Sequence, residues 1–298
     1  MAKVKIPATT ANLGPGFDSL GMALKLYNYV EMGEIPEGLE IDIEGEGADV
    51  IARDETNVVY EAAKTVFAKA GRTPKGLAIR LINNIPVARG LGSSAAALVG
   101  GVMAANCLLG EPLDADTLLQ IAVEMEGHPD NVAPAFLGGV VVSAFMDGKV
   151  VCRKIATPEG LLGVVAIPHF HVSTAEARGV LPASIPMSDA VYNLSRSSLL
   201  VTAFANNDFN LLASVMHDRL HQPYRTGLIP GLQTVFEAAR EAGALGVALS
   251  GSGPTVIAFT QERPREVARA MADAFHQYKV ECTVKLVDPC GEGAKVVG

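Results

Sequence analysis

The sequence contains no tryptophan, and aromatic residues make up only 5% of its 298 positions, so the core it builds is aliphatic. Cysteine is scarce and scattered. Cys107, Cys152, Cys282 and Cys290 show no C-x-x-C spacing, which points to reduced structural thiols rather than disulfides or a zinc site. No apolar run approaches the ~18 to 20 residues that span a bilayer. No apolar segment follows "MAKVKIPATTANLG" to make a signal peptide. Basic charge is in deficit: a formal net charge of −8 argues against a nucleic-acid partner and against an anionic membrane surface. Tandem repeats, low-complexity tracts and long linkers are missing too. A soluble cytoplasmic protein is expected, long enough for one large domain or two ordinary ones.

Local patterns supply the elements. Residues 3 to 7 and 23 to 31 read as strands flanking a loop, "PATTANLGPGFDSLG". From Asp54 a helix is signalled by Val58, Val59, Ala62, Ala63, Val66 and Phe67 on one face, with Gly71 as its stop. "GLAIRLINNIPV" reads as a strand, "SSAAALVGGVMAANCLLG" as a buried helix, and "DADTLLQIAVEMEG" as a helix with Asp114 as N-cap. A buried strand is expected at 137 to 145. In the second half, Leu161 to Ile167 is a strand and "STAE" at 173 to 176 is a capping-box signature. Helical segments continue to about 220, and "PGLQTVFEAAREAG" is a helix with Pro230 near its start. Strands at about 245 to 250 and 254 to 260, a helix at about 263 to 278 and a strand at about 281 to 287 follow. With the intervening helices set aside, the order is β-α-β-β-α-β, the split βαβ arrangement, which suggests a second domain from near residue 155.

The stretch "PVARGLGSSAAA" at 86 to 97 places Gly90, Gly92, Ser93 and Ser94 where a helix begins. Backbone N–H groups there can turn around an anion, and the helix N-terminus adds roughly half a positive charge. Small residues also permit close helix packing, and a lone glycine-rich loop leaves both readings open. It is neither a Walker A loop, lacking the lysine after Gly92, nor a G-x-G-x-x-G dinucleotide fingerprint.

"PVARGLGSSAAA" resembles the phosphate loop of the galactokinase, homoserine kinase, mevalonate kinase and phosphomevalonate kinase (GHMP) superfamily. "PATTANLGPGFDSLG" and "GALGVALSGSGPTVIAF" at 243 to 259 match two further blocks in order. The "ANLGPGFD" form, "EGHPDNVAP" at 126 to 134 and "STAEARGVLP" at 173 to 182 resemble the homoserine kinase branch, and the likeness covers nearly the whole chain. It implies an α+β fold of two domains, 1–155 like the second domain of ribosomal protein S5 and 156–298 ferredoxin-like. The first of these carries a left-handed β-α-β crossover in that superfamily. It also implies Mg²⁺-dependent transfer of a phosphoryl group from ATP to L-homoserine, on the way to threonine, with no nucleic-acid or membrane partner and room for a homodimer. A kinase of another small alcohol and a catalytically silent sensor of the same fold are the alternatives.

The resemblance also assigns roles. Pro86, Val87, Ala88, Arg89, Gly90, Leu91, Gly92, Ser93, Ser94, Ala95 and Ala96 form the ATP loop, and Asn57 lies near the adenine, although a polar residue in a first helical turn also reads as a cap. Ser94 and Glu126 are the Mg²⁺ ligands, with Glu124 as a rival. Asn12 and Asp18 face the amino acid, and together with Asp130 and Asn131 form the catalytic group. His128 and Gly253 belong to the substrate site. Arg178 and Arg225 hold the substrate carboxylate, for which an arginine fork is suited, with Arg219 a competitor for the second role. A loose phosphoryl-transfer transition state needs no strong base, so no dedicated one is expected. "HFH" at 169 to 171 has no third ligand and reads as structural.

Overall fold

A computed structural model describes residues 1–297. The chain opens with strands β1 (Ala2–Ala11), β2 (Leu20–Ile35) and β3 (Gly38–Gly45), helix α1 (Val58–Ala70), strand β4 (Gly76–Asn83) and helices α2 (Ser93–Leu108), α3 (Ala115–Glu126) and α4 (Pro129–Leu137). Strands β5 (Val140–Met146), β6 (Lys149–Ile155) and β7 (Leu162–Pro168) follow, then helices α5 (Thr174–Gly179), α6 (Met187–Asn206), α7 (Leu212–Val215), α8 (Gln222–Arg225) and α9 (Leu232–Glu241). The remainder is β8 (Gly246–Leu249), β9 (Val256–Thr260), α10 (Pro264–Gln277), β10 (Cys282–Val287) and β11 (Lys295–Val296).

Two sheets organise these elements. The first runs β11-β1-β2-β4-β3, and β5 pairs with the N-terminal end of β2 and carries β6. Strands β3 and β4 are parallel, and the chain crosses between them through α1. The second sheet runs β10-β7-β9-β8, antiparallel throughout, which is the β-α-β-β-α-β arrangement expected from the sequence. β11 leaves that second half and pairs antiparallel with β1, after Cys290 has exchanged backbone hydrogen bonds with Ala23 and Gly139.

Local chemistry explains the element ends. Asn57 caps α1 by accepting from Val59 N at 2.9 Å, and Gly71, left-handed, closes it. Asp114 caps α3 through Thr117 N, and Ser173 with Glu176 forms the expected capping box. α2 is apolar all round and packs against α1, α3, β1 and β2, so its small residues serve close approach as well as the loop before it. α10 buries Val267, Met271, Ala274 and Phe275 on one stripe.

Several expectations need correcting. The first loop is only 12–19, because both flanking strands run further than expected; Pro7 is accommodated at a register shift between Pro7 and Ala8. The strand expected at 137 to 145 begins at Val140, and α4, with Pro134 inside it, occupies the residues before. β3 and β6 were not anticipated. β3 is an edge strand whose alternation of Leu39, Ile41 and Ile43 with Glu40, Asp42 and Glu44 is the signal that could have found it.

Candidate active site

Two cavities meet at the glycine-rich loop. One, of about 120 Å³, lies between the two halves and has charged side chains in its walls; its lining includes Asn12, Asp18, Glu126, His128, Arg178 and Arg225. The other, about 460 Å³ and largely apolar, lies between α1, β4 and α2, with Asn57, Val59, Leu81 and Ala96 in its walls. Ala88, Ser93, Ser94, Ser173 and Thr174 line both. The loop is therefore the threshold between an apolar slot and a charged cleft.

Gly92 shows why this loop must be glycine. It is left-handed (φ +70°), and a Cβ there would overlap Thr9 Oγ1 and come 3.2 Å from Asn131 Oδ1. Thr9 Oγ1 in turn donates to Asn131 Oδ1 at 2.8 Å, pinning α4 to β1 beneath the loop. From the other half, Ser250 Oγ donates to Gly90 O at 2.6 Å and Thr255 N donates to Arg89 O. Arg89 reaches back to His169 O and the His171 ring, so "HFH" meets the loop instead of a metal. Pro86, Leu91 and Ala95 line neither cavity; all three are buried and set the loop from behind.

On the far wall Ser94 Oγ donates to Glu126 Oε2 at 2.8 Å. Burial raises the Glu126 carboxyl above its ordinary value, against the hydrogen bond from Ser94. Glu124 is exposed, accepts from Gln120 and does not line the cleft. Beside Glu126, His128 Nδ1 pairs with Asp130 Oδ1 at 2.9 Å, and that hydrogen bond raises the His128 pKa.

The loop at 12–19 contributes the rest. Asn12, Leu13, Gly14 and Asp18 all have positive φ, and Asn12 Oδ1 accepts from Asp18 N at 3.0 Å. Held this way, Asp18 presents its carboxylate to Arg178, which donates to both oxygens at 2.8 and 3.0 Å. Arg225 is deeply buried. It donates Nε to Ala177 O and Nη1 to Gly251 O and His221 Nδ1. Burial, with Arg178 nearby, pushes its pKa down to about 10. The rings of Phe17 and His221 stack at 5.2 Å, with Arg178 and Arg225 each over Phe17.

Most of the residues expected at the site thus border one cavity or the other; besides Glu124 and, behind the loop, Pro86, Leu91 and Ala95, two do not. Arg219 pairs with Asp189 and lies over Tyr192, away from the cleft. Gly253 does not line it either: a Cβ there would meet Ile229 and Leu249, inside the second half, and Gly251 and Ser252 face the cleft instead. Asn57 is both cap and wall, since its side chain is spent on Val59 N and Ala52 O while it borders the apolar slot. Phe17, which lines the cleft, and His221 and Asp218, which stand behind Arg225, are residues that the sequence did not single out; Phe17 lies within the "ANLGPGFD" block, and the other two sit in no motif.

This fold and site define a class. Models for the GHMP kinases N terminal domain and the GHMP kinases C terminal match residues 57–139 and 200–277, and the chain belongs to the GHMP kinases. It is 55% identical to the homoserine kinase of Moorella thermoacetica over 297 residues, covering 100% of both chains. It is also 53% identical to that of Carboxydothermus hydrogenoformans, covering 99% of this chain and 96% of that one. The crystal structure of homoserine kinase from Cytophaga hutchinsonii superposes with a TM-score of 0.88 at 34% identity, covering 99% and 97% of the two chains. Within the GHMP kinases the chain falls among the homoserine kinases.

Proposed function

We propose that the protein transfers a phosphoryl group from ATP to the hydroxyl of L-homoserine. The observation that carries this reading is the pairing of Asp18 with Arg178 beside Arg225 in a cleft that opens onto the phosphate loop. An acid and two guanidiniums facing one cleft suit a substrate bearing both an ammonium and a carboxylate. Mevalonate and galactose carry no ammonium, so neither would engage Asp18 in this way. The adjoining apolar slot suits a nucleotide base, and the loop with the α2 N-terminus suits its phosphates.

In this reading Asp18 and Asn12 receive the ammonium end, and Arg178 and Arg225 the carboxylate. The substrate hydroxyl then points towards His128, Asp130 and Asn131, near the phosphate loop. Asp130 is buried and already accepts from His128, and a loose transition state asks little of a base. We assign it to orienting His128 and Asn131. Ser94 and Glu126 fit a hard divalent cation: both offer oxygen, and the half-buried carboxylate has no cationic side chain bonded to it. Among the described residues no group of three acidic, His or Cys side chains could hold a metal alone. In this reading one carboxylate and one hydroxyl would hold Mg²⁺ together with nucleotide phosphates. When bound, the ion would neutralise charge on the transferring phosphoryl group. Coupled ADP release with homoserine, mevalonate, galactose and shikimate tests the reading. Turnover with homoserine alone is expected, and its absence would overturn the assignment.

A further inference from the structure

We propose that His221 is a positioning residue that sets which face of Arg225 is offered to the substrate. The inference rests on the reading of Arg225 as a carboxylate ligand. His221 is fully buried, and its ring nitrogens have different partners: Nδ1 meets Arg225 Nη1 at 3.0 Å and Nε2 meets Gly14 O at 2.8 Å. A guanidinium only donates, so Nδ1 must accept; a carbonyl only accepts, so Nε2 must carry the hydrogen. The two contacts therefore specify one neutral tautomer. In that form the ring is a rigid spacer between the 12–19 loop and Arg225.

The spacer is anchored on both sides. Asp218 accepts from the backbone N–H groups of Leu220, His221 and Gln222, at 2.8, 3.0 and 2.7 Å, and from Asn193 Nδ2 at 2.7 Å. These four bonds fix the backbone that carries His221. Gly14 is the other anchor: it is left-handed (φ +85°), and a Cβ would overlap Met216 O, so the loop packs directly on the segment leading to His221. Phe17 stacks on the ring from the cleft side.

The consequence falls on Arg225. With Nη1 held by His221 and Gly251 O, and Nε by Ala177 O, its Nη2 is the nitrogen left without a protein partner among the described residues. It is not among the buried unpartnered atoms, and Arg225 lines the cleft. Without His221, Nη1 keeps Gly251 O alone and the guanidinium is held by two bonds instead of three, so the orientation offered to a carboxylate is less tightly defined. His221 has no contact with the cleft itself, so its effect must pass through Arg225 or the 12–19 loop.

Steady-state kinetics and melting temperature on four variants test this. His221→Phe keeps ring and stacking but removes both hydrogen bonds, and is expected to raise the homoserine KM about tenfold, with the ATP KM within about twofold of wild type. His221→Gln supplies an amide oxygen for Arg225 and an amide hydrogen for Gly14 O, and should restore the homoserine KM to within about threefold. In an Arg225→Leu background His221→Phe should add less than about twofold, since the group it positions is gone. If the Phe variant does not fold, His221→Met takes its place with the same expectations. An unchanged homoserine KM in the Phe variant overturns the proposal, as does a full additional effect in the Arg225→Leu background. Failure of the carboxylate reading is seen separately, as an unchanged homoserine KM in Arg225→Leu alone, and the proposal then falls with it.

Discussion

Arg178 grips both oxygens of the Asp18 carboxylate, joining two blocks 160 residues apart across the mouth of the cleft. Each group satisfies on the other the charge that an amino-acid substrate would bring. Under the proposed function, substrate entry would exchange one internal ion pair for two external ones. Both side chains are about a third exposed, 38% and 34%, so the pair contributes little to stability. Arg178→Leu is expected to raise the homoserine KM about tenfold or more, with melting shifted by no more than about 2 °C. A homoserine KM equal to that of wild type would remove Arg178 from the substrate site.

Arg225 and Arg219 lie six residues apart, and burial separates them. Arg225→Leu should weaken homoserine binding by about ten- to a hundredfold with little change in ATP KM. Arg219→Leu, which removes an exposed pair with Asp189, should leave both constants within about twofold. Reversal of this order in steady-state kinetics would exchange the two assignments.

Glu126→Gln keeps size and the Ser94 contact while removing the charge proposed to hold Mg²⁺. Its kcat is expected to fall at least about a hundredfold, with a raised Mg²⁺ requirement and unchanged far-UV circular dichroism. Glu124→Gln should behave as wild type. Activity surviving in the Glu126 variant at ordinary Mg²⁺ would locate the metal elsewhere.

The parts of this molecule that were legible in the sequence are those governed by neighbours along the chain. Asp114, Gly71 and the Ser173–Glu176 box mark helix ends by local hydrogen bonding, and the β-α-β-β-α-β order follows from alternating patterns. The remainder depends on distant contacts. His221 meets Gly14 across 207 residues, and "LHQPY" carries no trace of that meeting. α4 contains a proline, which propensity counts against a helix, and packing on β1 and β2 overrides it. Glu124 and Glu126 point about 160° apart on one helix, so spacing left both open. The hydrogen bond from Ser94 distinguishes them.

Asn57 can be divided into its two roles. Asn57→Ala removes the cap from α1 and should lower stability by about 1 kcal/mol. Asn57→Ser keeps a capping oxygen, so its stability should stay close to wild type, yet it loses the amide that borders the apolar slot. A raised ATP KM in both variants, with only the Ala variant destabilised by urea unfolding, is expected. An ATP KM that follows stability alone would make Asn57 purely a cap.

His221 also gives the protein a pH-dependent component of stability. Burial lowers its pKa below the ordinary value, with Arg225 acting in the same direction and Asp218 and Asp18 opposing. The folded state therefore holds the neutral ring, and the unfolded chain takes up a proton first. Between the unfolded value, about 6.5, and the depressed folded one, the unfolded state binds more protons, so stability present above that range is lost as pH falls. His217 is depressed as well, by burial and by Arg240 and Arg196, and His128 is raised by Asp130, so the wild-type profile alone would mix three rings. Glutamine does not titrate, and His221→Gln isolates one of them. On moving from about pH 7.5 to about pH 5.5, wild type should lose more melting temperature than His221→Gln, narrowing the gap between them. A gap that stays constant across this range would mean that His221 carries no such linkage.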